Sequence, residues 1–407
     1  MRIDFRRSLP ATEQAAPPPA ETLPSTRLDS VDLLRGLVMV IMALDHVRDH
    51  FTDVRFYPLD LSQTTVPLAL TRWITHFCAP TFVFLAGTGA FLSRSRGKTQ
   101  RELSAFLFTR GLWLVLLEMT VVRLGWMYNV DYTFSFGQVI WAIGWSMVVL
   151  SVLVFLPVRL TALFGVAMIA LHNAFDSIRP AQLGVFGWLW QILHAGGAID
   201  YAPGYRFEAA YPLIPWIGVM AAGYAFGEIL RFEPAKRRRV LLQLGLALSA
   251  GFVILRALNA YGDPHPWIPQ KNLAFTFLSF LHCEKYPPSL LYLLMTLGPA
   301  IAALALAELW KGPVGRFFIT FGRVPLFYYI LHLFLIHGSA LCTAYLMGYD
   351  VRFMMSNTPP WEWPGMWGFG LPVVYAVWIA AVVLLYFPCR WFADLKRRRK
   401  ETWLSYL

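Results

Sequence analysis

The stretch "LLRGLVMVIMALDHVRDHF", residues 33–51, decides how this chain is read. Its first half is apolar enough for a membrane helix, and about 20 such residues cross a hydrocarbon core. Its second half gathers Asp45, His46, Arg48, Asp49 and His50. Ionisable groups inside a span cost a few kcal/mol each or more, and they usually face a cavity or a partner. The segment therefore reads as a membrane helix with chemistry at its outer end.

The rest of the chain supports a membrane setting. Of 407 residues, 57% are hydrophobic and only 14% charged, with a mean hydropathy of +0.51. A soluble chain carries nearer 25% charged residues. Trp, Tyr and Phe are abundant, as suits membrane interfaces. The formal charge of +11 does not call for a nucleic-acid partner. It sits in short runs beside apolar segments, "RSRGKTQR" (94–101), "KRRR" (236–239) and "KRRRK" (396–400), as in the inner loops of membrane proteins. The four cysteines are scattered and have no metal-ligand spacing.

Hydropathy predicts an all-α polytopic integral membrane protein with ten spans, at about 33–51, 66–92, 104–124, 136–156, 159–175, 209–230, 240–258, 287–309, 317–345 and 370–389. Residues 181–197 and 272–282 are apolar too. They read as re-entrant or interfacial helices, because counting one as an eleventh span upsets the alternation of basic loops. That alternation puts both termini in the cytoplasm, and the expected location is the inner membrane. Residues 1–26 read as a disordered tail, 27–392 as one membrane domain and 393–407 as a basic tail.

Positions 35, 39, 42 and 46 share one face of the first span, which sets Arg35 and His46 about 16 Å apart along a stripe. Asp45 and Asp49, like His46 and His50, are one turn apart. In the second span Arg72 and His76 are also one turn apart, Pro80 predicts a kink just inward of them, and Gly87 and Gly89 predict close helix packing. The ninth span puts Tyr328 and His332 on one face near mid-membrane, with His337 pointing elsewhere. Arg316 and Arg323 lie on its basic half. Glu118 and Arg123 in the third span read as groups paired to neighbours. His46 and His50 supply the only ligand spacing, without a supporting cluster, so no metal is expected. A GxSxG nucleophile is also absent. What remains is a histidine base with carboxylate support.

"RLDSVDLLRGLVMVIMALDH" (27–46) resembles the heparan-α-glucosaminide N-acetyltransferase catalytic-domain family, a lysosomal transmembrane enzyme and its bacterial relatives. "HFCAPTFVFLAGTGAFLS" (76–93), "YPLIPWIGVMAAGYAFG" (211–227) and "GRVPLFYYILHLFLIH" (322–337) resemble blocks of the bacterial branch. The resemblance implies acyl transfer from cytoplasmic acetyl-CoA to an amine or hydroxyl across the bilayer. It also implies that the family's active-site asparagine is replaced by His46. The histidine that the family keeps in the following outer loop has no counterpart in 51–65, which leaves His50 or His76 to substitute.

Taken together, His46 is expected to act as base, oriented by Asp45 or Asp49. His76 and His332 complete the cavity, and Arg35, with Arg323 or Lys98, meets the phosphates of acyl-CoA. The expected acceptor is an extracytoplasmic glycan, for which Trp361, Trp363 and Trp367 offer stacking faces. A homo-oligomer is compatible with the sequence. The competing class is a proton-coupled transporter that uses the Asp/His group as a relay, although no internal repeat supports it.

Overall fold

The computed structural model describes residues 28–399 and 401–406 and is mostly helical. The tail read as disordered, 1–26, lies outside the described residues. The helices are α1 (Asp29–Phe51), α2 (Val66–Thr75), α3 (Cys78–Ser95), α4 (Gln100–Leu117), α5 (Arg123–Met127), α6 (Val139–Leu153), α7 (Val158–Leu171), α8 (Gly187–Trp190), α9 (Leu213–Phe226), α10 (Pro234–Leu258), α11 (Leu273–Leu281), α12 (Leu290–Ala307), α13 (Pro313–Arg323), α14 (Pro325–Leu346) and α15 (Leu371–Arg398).

Local chemistry fixes their ends. The Thr65 and Ser289 hydroxyls cap α2 and α12 by accepting the N–H groups of Leu68 and Tyr292. Thr99 and Glu102 form a reciprocal capping box at α4. The second predicted span breaks at His76–Phe77, one turn before Pro80. Pro80 has no N–H to offer the carbonyl four residues earlier, and the Tyr292 hydroxyl satisfies that His76 carbonyl instead at 2.8 Å. The predicted ninth span is likewise two helices. Pro325 pushes Val324 out of helical geometry, to φ −133° and ψ 50°, so α13 and α14 meet at an elbow.

Eight helical segments among the described residues are long and apolar enough to cross a membrane. All ten predicted spans fall on helix. The two outside that group are α1, which carries too many charges, and α6, whose 15 residues reach about 22 Å. Neither apolar outer stretch is a span. Residues 180–195 form a 3₁₀ turn, α8 and a π turn, and 273–281 form the short α11.

One feature departs from the all-α expectation, a small sheet of β1 (Phe134–Phe136), β2 (Gly197–Ala202) and β3 (Tyr205–Ala209) in the order β1-β3-β2. Pro203 and Gly204, the latter at φ +77°, turn the β2–β3 hairpin, and β1 joins β3 in parallel. A Pro-Gly pair is a turn signal, but the flanking strands carry little apolar alternation.

α1 runs through the middle of the molecule, against α2, α3, α12, α13, α14 and α15. Helices α7, α10 and α15 instead turn side chains such as Leu163, Ile254 and Phe387 outward, as a lipid-facing ring requires. Gly36 and Gly322 set the α1–α13 crossing: a methyl on either would run into a backbone carbonyl, Phe318 for Gly36 and Asp32 for Gly322. Gly87 does the same for α3 against α9. Gly89 departs from the expectation, since nothing lies within 4 Å of where its Cβ would be.

Candidate active site

The outer half of α1 and the middle of α14 bring two imidazoles together. His46 Nδ1 lies 2.6 Å from His332 Nε2, and the rings stack at 4.8 Å with 12° between their planes. Both side chains are buried. Hydrogen-bond direction follows from the backbone. His332 Nδ1 faces the Tyr328 carbonyl at 3.0 Å, which only an N–H can satisfy. A neutral His332 then offers a lone pair at Nε2, so His46 Nδ1–H donates to it. The chain ends at His46 Nε2, which has no protein hydrogen-bond partner among the described residues and keeps its lone pair. That is the arrangement of an oriented base.

Aromatic rings surround the pair. Trp126 stands edge-on to His46 at 4.9 Å and Tyr329 at 6.1 Å. The hydroxyls of Tyr328 and Tyr329 are buried and make no hydrogen bond of good geometry among the described residues, with the Trp126 side chain close to that of Tyr329. On the outer side, His50 Nδ1–H donates to the His46 carbonyl at 2.8 Å. Trp367 donates to the His50 carbonyl, and Trp363 packs edge-on to His50. Trp363 and Trp367 are therefore part of the roof. Of the three tryptophans read as stacking faces, only Trp361 is exposed. His337 lies beside His50, with both ring nitrogens facing carbonyls, those of Gly125 and Met354.

Beneath the pair, a cavity of about 260 Å³ opens between α1, α3, α4, α6 and α14. Arg35, Ser93 and Arg110 line it toward the basic loops, Met39, Leu85, Gly89 and Ile143 along its length, and Met42, Val139 and Tyr329 at its inner end. Tyr329 thus touches both the cavity and the histidine pair. The volume lies just under the ~300 Å³ typical of the smallest ligand pockets, so it suits a narrow arm, not a whole nucleotide.

Each residue expected at the site has a defined place. Arg35 lines the cavity while donating to Asp32 and to the Gly322 carbonyl. Arg323 pairs with Asp29 at 3.2 Å and does not line the cavity. Lys98 sits over the Phe106 ring, itself a lining residue, at 3.9 Å, and partial burial lowers its pKa below the usual lysine value. Asp45 and Asp49 do not hydrogen-bond the His46 ring, so His332 orients it in their stead. Asp45 is held by Arg72 at 2.6 and 2.7 Å, by Arg48 and by Thr75, and Asp49 by Arg48 at 2.6 Å. A carboxylate flanked by two guanidiniums is committed to them. His76 is buried against Tyr292, its ring nitrogens without a hydrogen-bond partner among the described residues, and it does not hydrogen-bond His46.

Glu118 accepts the N–H groups of Gln138 and Trp141, which caps α6, and lies on a π turn at Glu118–Val122. Arg123 gathers the carbonyls of Asn129, Asp131 and Phe134. Both hold structure around Trp126. Two lining residues escaped the sequence reading. Arg110 is an ionisable group inside the predicted third span, and Tyr329 sits three residues before His332 on the same helix. Those positions were the available signals.

The fold and the site define a polytopic helical membrane protein with an oriented imidazole base beside Tyr329, which lines a cavity flanked by cations. The family described as "Heparan-alpha-glucosaminide N-acetyltransferase, catalytic" matches residues 27–257, more than half of the chain, and the protein belongs to that family. Membership makes it a transmembrane acetyltransferase in general terms. No curated protein matches the chain. The match covers His46 and the cavity walls from α1, α3, α4 and α6, whereas His332 and Tyr329 lie beyond it.

Proposed function

We propose that the protein moves an acetyl or similar acyl group from cytoplasmic acyl-CoA to a hydroxyl or amine of an extracytoplasmic, sugar-containing acceptor. The observation that carries the reading is the His46–His332 pair packed against Tyr329, a residue that lines the cavity. The narrow cavity accommodates an acylated pantetheine arm, while Arg35 and Arg110, with Lys98 nearby, attract the phosphates outside it.

The proposed chemistry follows from the hydrogen-bond directions. His46 Nε2 removes the proton of the acceptor O–H or N–H as that atom attacks the thioester carbonyl. The Tyr329 hydroxyl, which has no acceptor of good geometry among the described residues, donates to the oxygen that gains charge in the tetrahedral intermediate. Collapse breaks the C–S bond, and the proton on His46 returns to the leaving CoA sulfur. His332 keeps the His46 tautomer fixed throughout, and Trp361 offers the exposed stacking face for a sugar.

Binding of acetyl-CoA to the purified protein tests the donor. The expected result is that Arg35→Ala and Arg110→Ala each weaken binding by about 10- to 100-fold, the equivalent of a charge-assisted hydrogen bond. Unchanged binding in both removes the donor assignment.

A further inference from the structure

A second cluster of chemistry-bearing residues lies outside this site, where the loop end of α7 meets the 180–195 stretch. We propose that His172, Asp176 and His194 form a binding site for a single Zn²⁺ ion. One ligand atom from each residue falls within 4.8 Å of the others. His194 Nε2 is 3.5 Å from Asp176 Oδ1. Two ligands on a tetrahedral zinc, each at about 2.0–2.1 Å, stand roughly 3.3 Å apart, so this edge is already near its ligated length and the remaining edges close by up to about 1.5 Å.

The independent sign of a ligand is His172. Its side chain is 2% exposed, and neither ring nitrogen makes a hydrogen bond of good geometry among the described residues, although the Pro288 backbone lies close. A buried imidazole without a partner forfeits its hydration, and a metal restores that lost interaction. The other two ligands are held from behind, as metal ligands usually are. Asn173 donates to Asp176 Oδ2 at 2.9 Å, which leaves Oδ1 toward the histidines. Trp190 stacks flat on the His194 ring, at 4.7 Å and 7°, and is anchored by its own bond to the Ile178 carbonyl.

The donor set selects the metal. Two imidazoles and one carboxylate suit zinc, whereas Ca²⁺ and Mg²⁺ need six or more oxygens. His194 Nε2 now faces the His172 carbonyl at 2.9 Å. Ligation through that atom moves the ring proton to Nδ1 with no change of charge. With three protein ligands the fourth position is left to water. His172 and Asp176 follow α7, while His194 lies on the π turn at Gln191–Ala195, so the ion fastens the 180–195 stretch to the end of α7.

The test uses the full chain in detergent, with any affinity tag removed and metal stripped by chelator. Co²⁺ is titrated while the visible d–d bands of a tetrahedral site are recorded, and Zn²⁺ then displaces it. The expected result is one equivalent bound, a melting temperature raised by Zn²⁺ but not by Mg²⁺, and at least a 100-fold weaker affinity in His194→Ala and Asp176→Asn. His46→Ala should bind as the wild type does, which separates this site from the acyl-transfer site. Absence of stoichiometric bands in the wild type, their persistence in Asp176→Asn, or their loss in His46→Ala overturns the proposal. If His194→Ala does not fold, the Asp176→Asn titration and the wild-type melting shifts decide.

Discussion

His332 Nε2 accepts the Nδ1 proton of His46 at 2.6 Å, across two helices 286 residues apart in sequence. Each ring thereby fixes the tautomer of the next, from the Tyr328 carbonyl to the bare Nε2 of His46. Replacing His332 by Ala removes the acceptor and frees the His46 ring to rotate. The expected outcome is a loss of about 10²- to 10⁴-fold in acyl-transfer kcat, the usual worth of a positioned base, with little change in KM. His332→Gln, which keeps an acceptor, should recover part of it. Steady-state kinetics on the two variants checks this.

Tyr329 carries a second prediction. Its hydroxyl makes no hydrogen bond of good geometry among the described residues, so its removal costs folding little. Tyr329→Phe should lower kcat by about 10²- to 10³-fold, as loss of one oxyanion donor does, while the melting temperature stays within a few degrees. An unchanged kcat would assign the ring a packing role only.

Much of this was legible in the sequence, and the parts that were not have physical reasons. The ten apolar stretches are helical because twenty-residue hydropathy survives any tertiary arrangement. The elbow at Val324–Pro325 and the break at His76 were harder to see, since proline perturbs the turn before it and the helix can kink or stop. Arg35, His46 and His332 stood out as ionisable groups within apolar runs. Their mutual register did not, because helix periodicity gives the face of one helix and not which face of another it meets. The same limit misassigned the partner of His46. Asp45 is its neighbour in sequence, but successive residues point about 100° apart on a helix, and Asp45 faces Arg72.

Gly89, the second glycine of "GTG" (87–89), should behave in the opposite way to Gly36. Gly89 lines the cavity with open space at its Cβ position. Gly89→Phe should fill the cavity and raise KM for acyl-CoA at least 10-fold. Stability should hold, since leaving glycine in a helix gains about 0.5–1 kcal/mol. Gly36→Ala instead forces α1 off α13, an overpacking cost of about 1–3 kcal/mol or more. Melting curves alongside KM measurements separate the two effects.

Asp45 and Arg72 form a buried ion pair, their side chains 13% and 7% exposed. Arg72→Met alone leaves the carboxylate with Arg48 as its remaining cation, and breaking such pairs costs about 3–5 kcal/mol. Adding Asp45→Asn should restore part of that loss. Thermal unfolding of the two single variants and the double variant gives the coupling. A purely additive result would show that the pair does not act as a unit.

The most direct test reconstitutes the protein in vesicles with a glycan acceptor trapped inside and radiolabelled acetyl-CoA added outside. Wild type should transfer label to the trapped acceptor, and His46→Ala, correctly folded, should transfer at least 10²-fold less while still binding acetyl-CoA. Label transfer by His46→Ala at the wild-type rate would contradict the account.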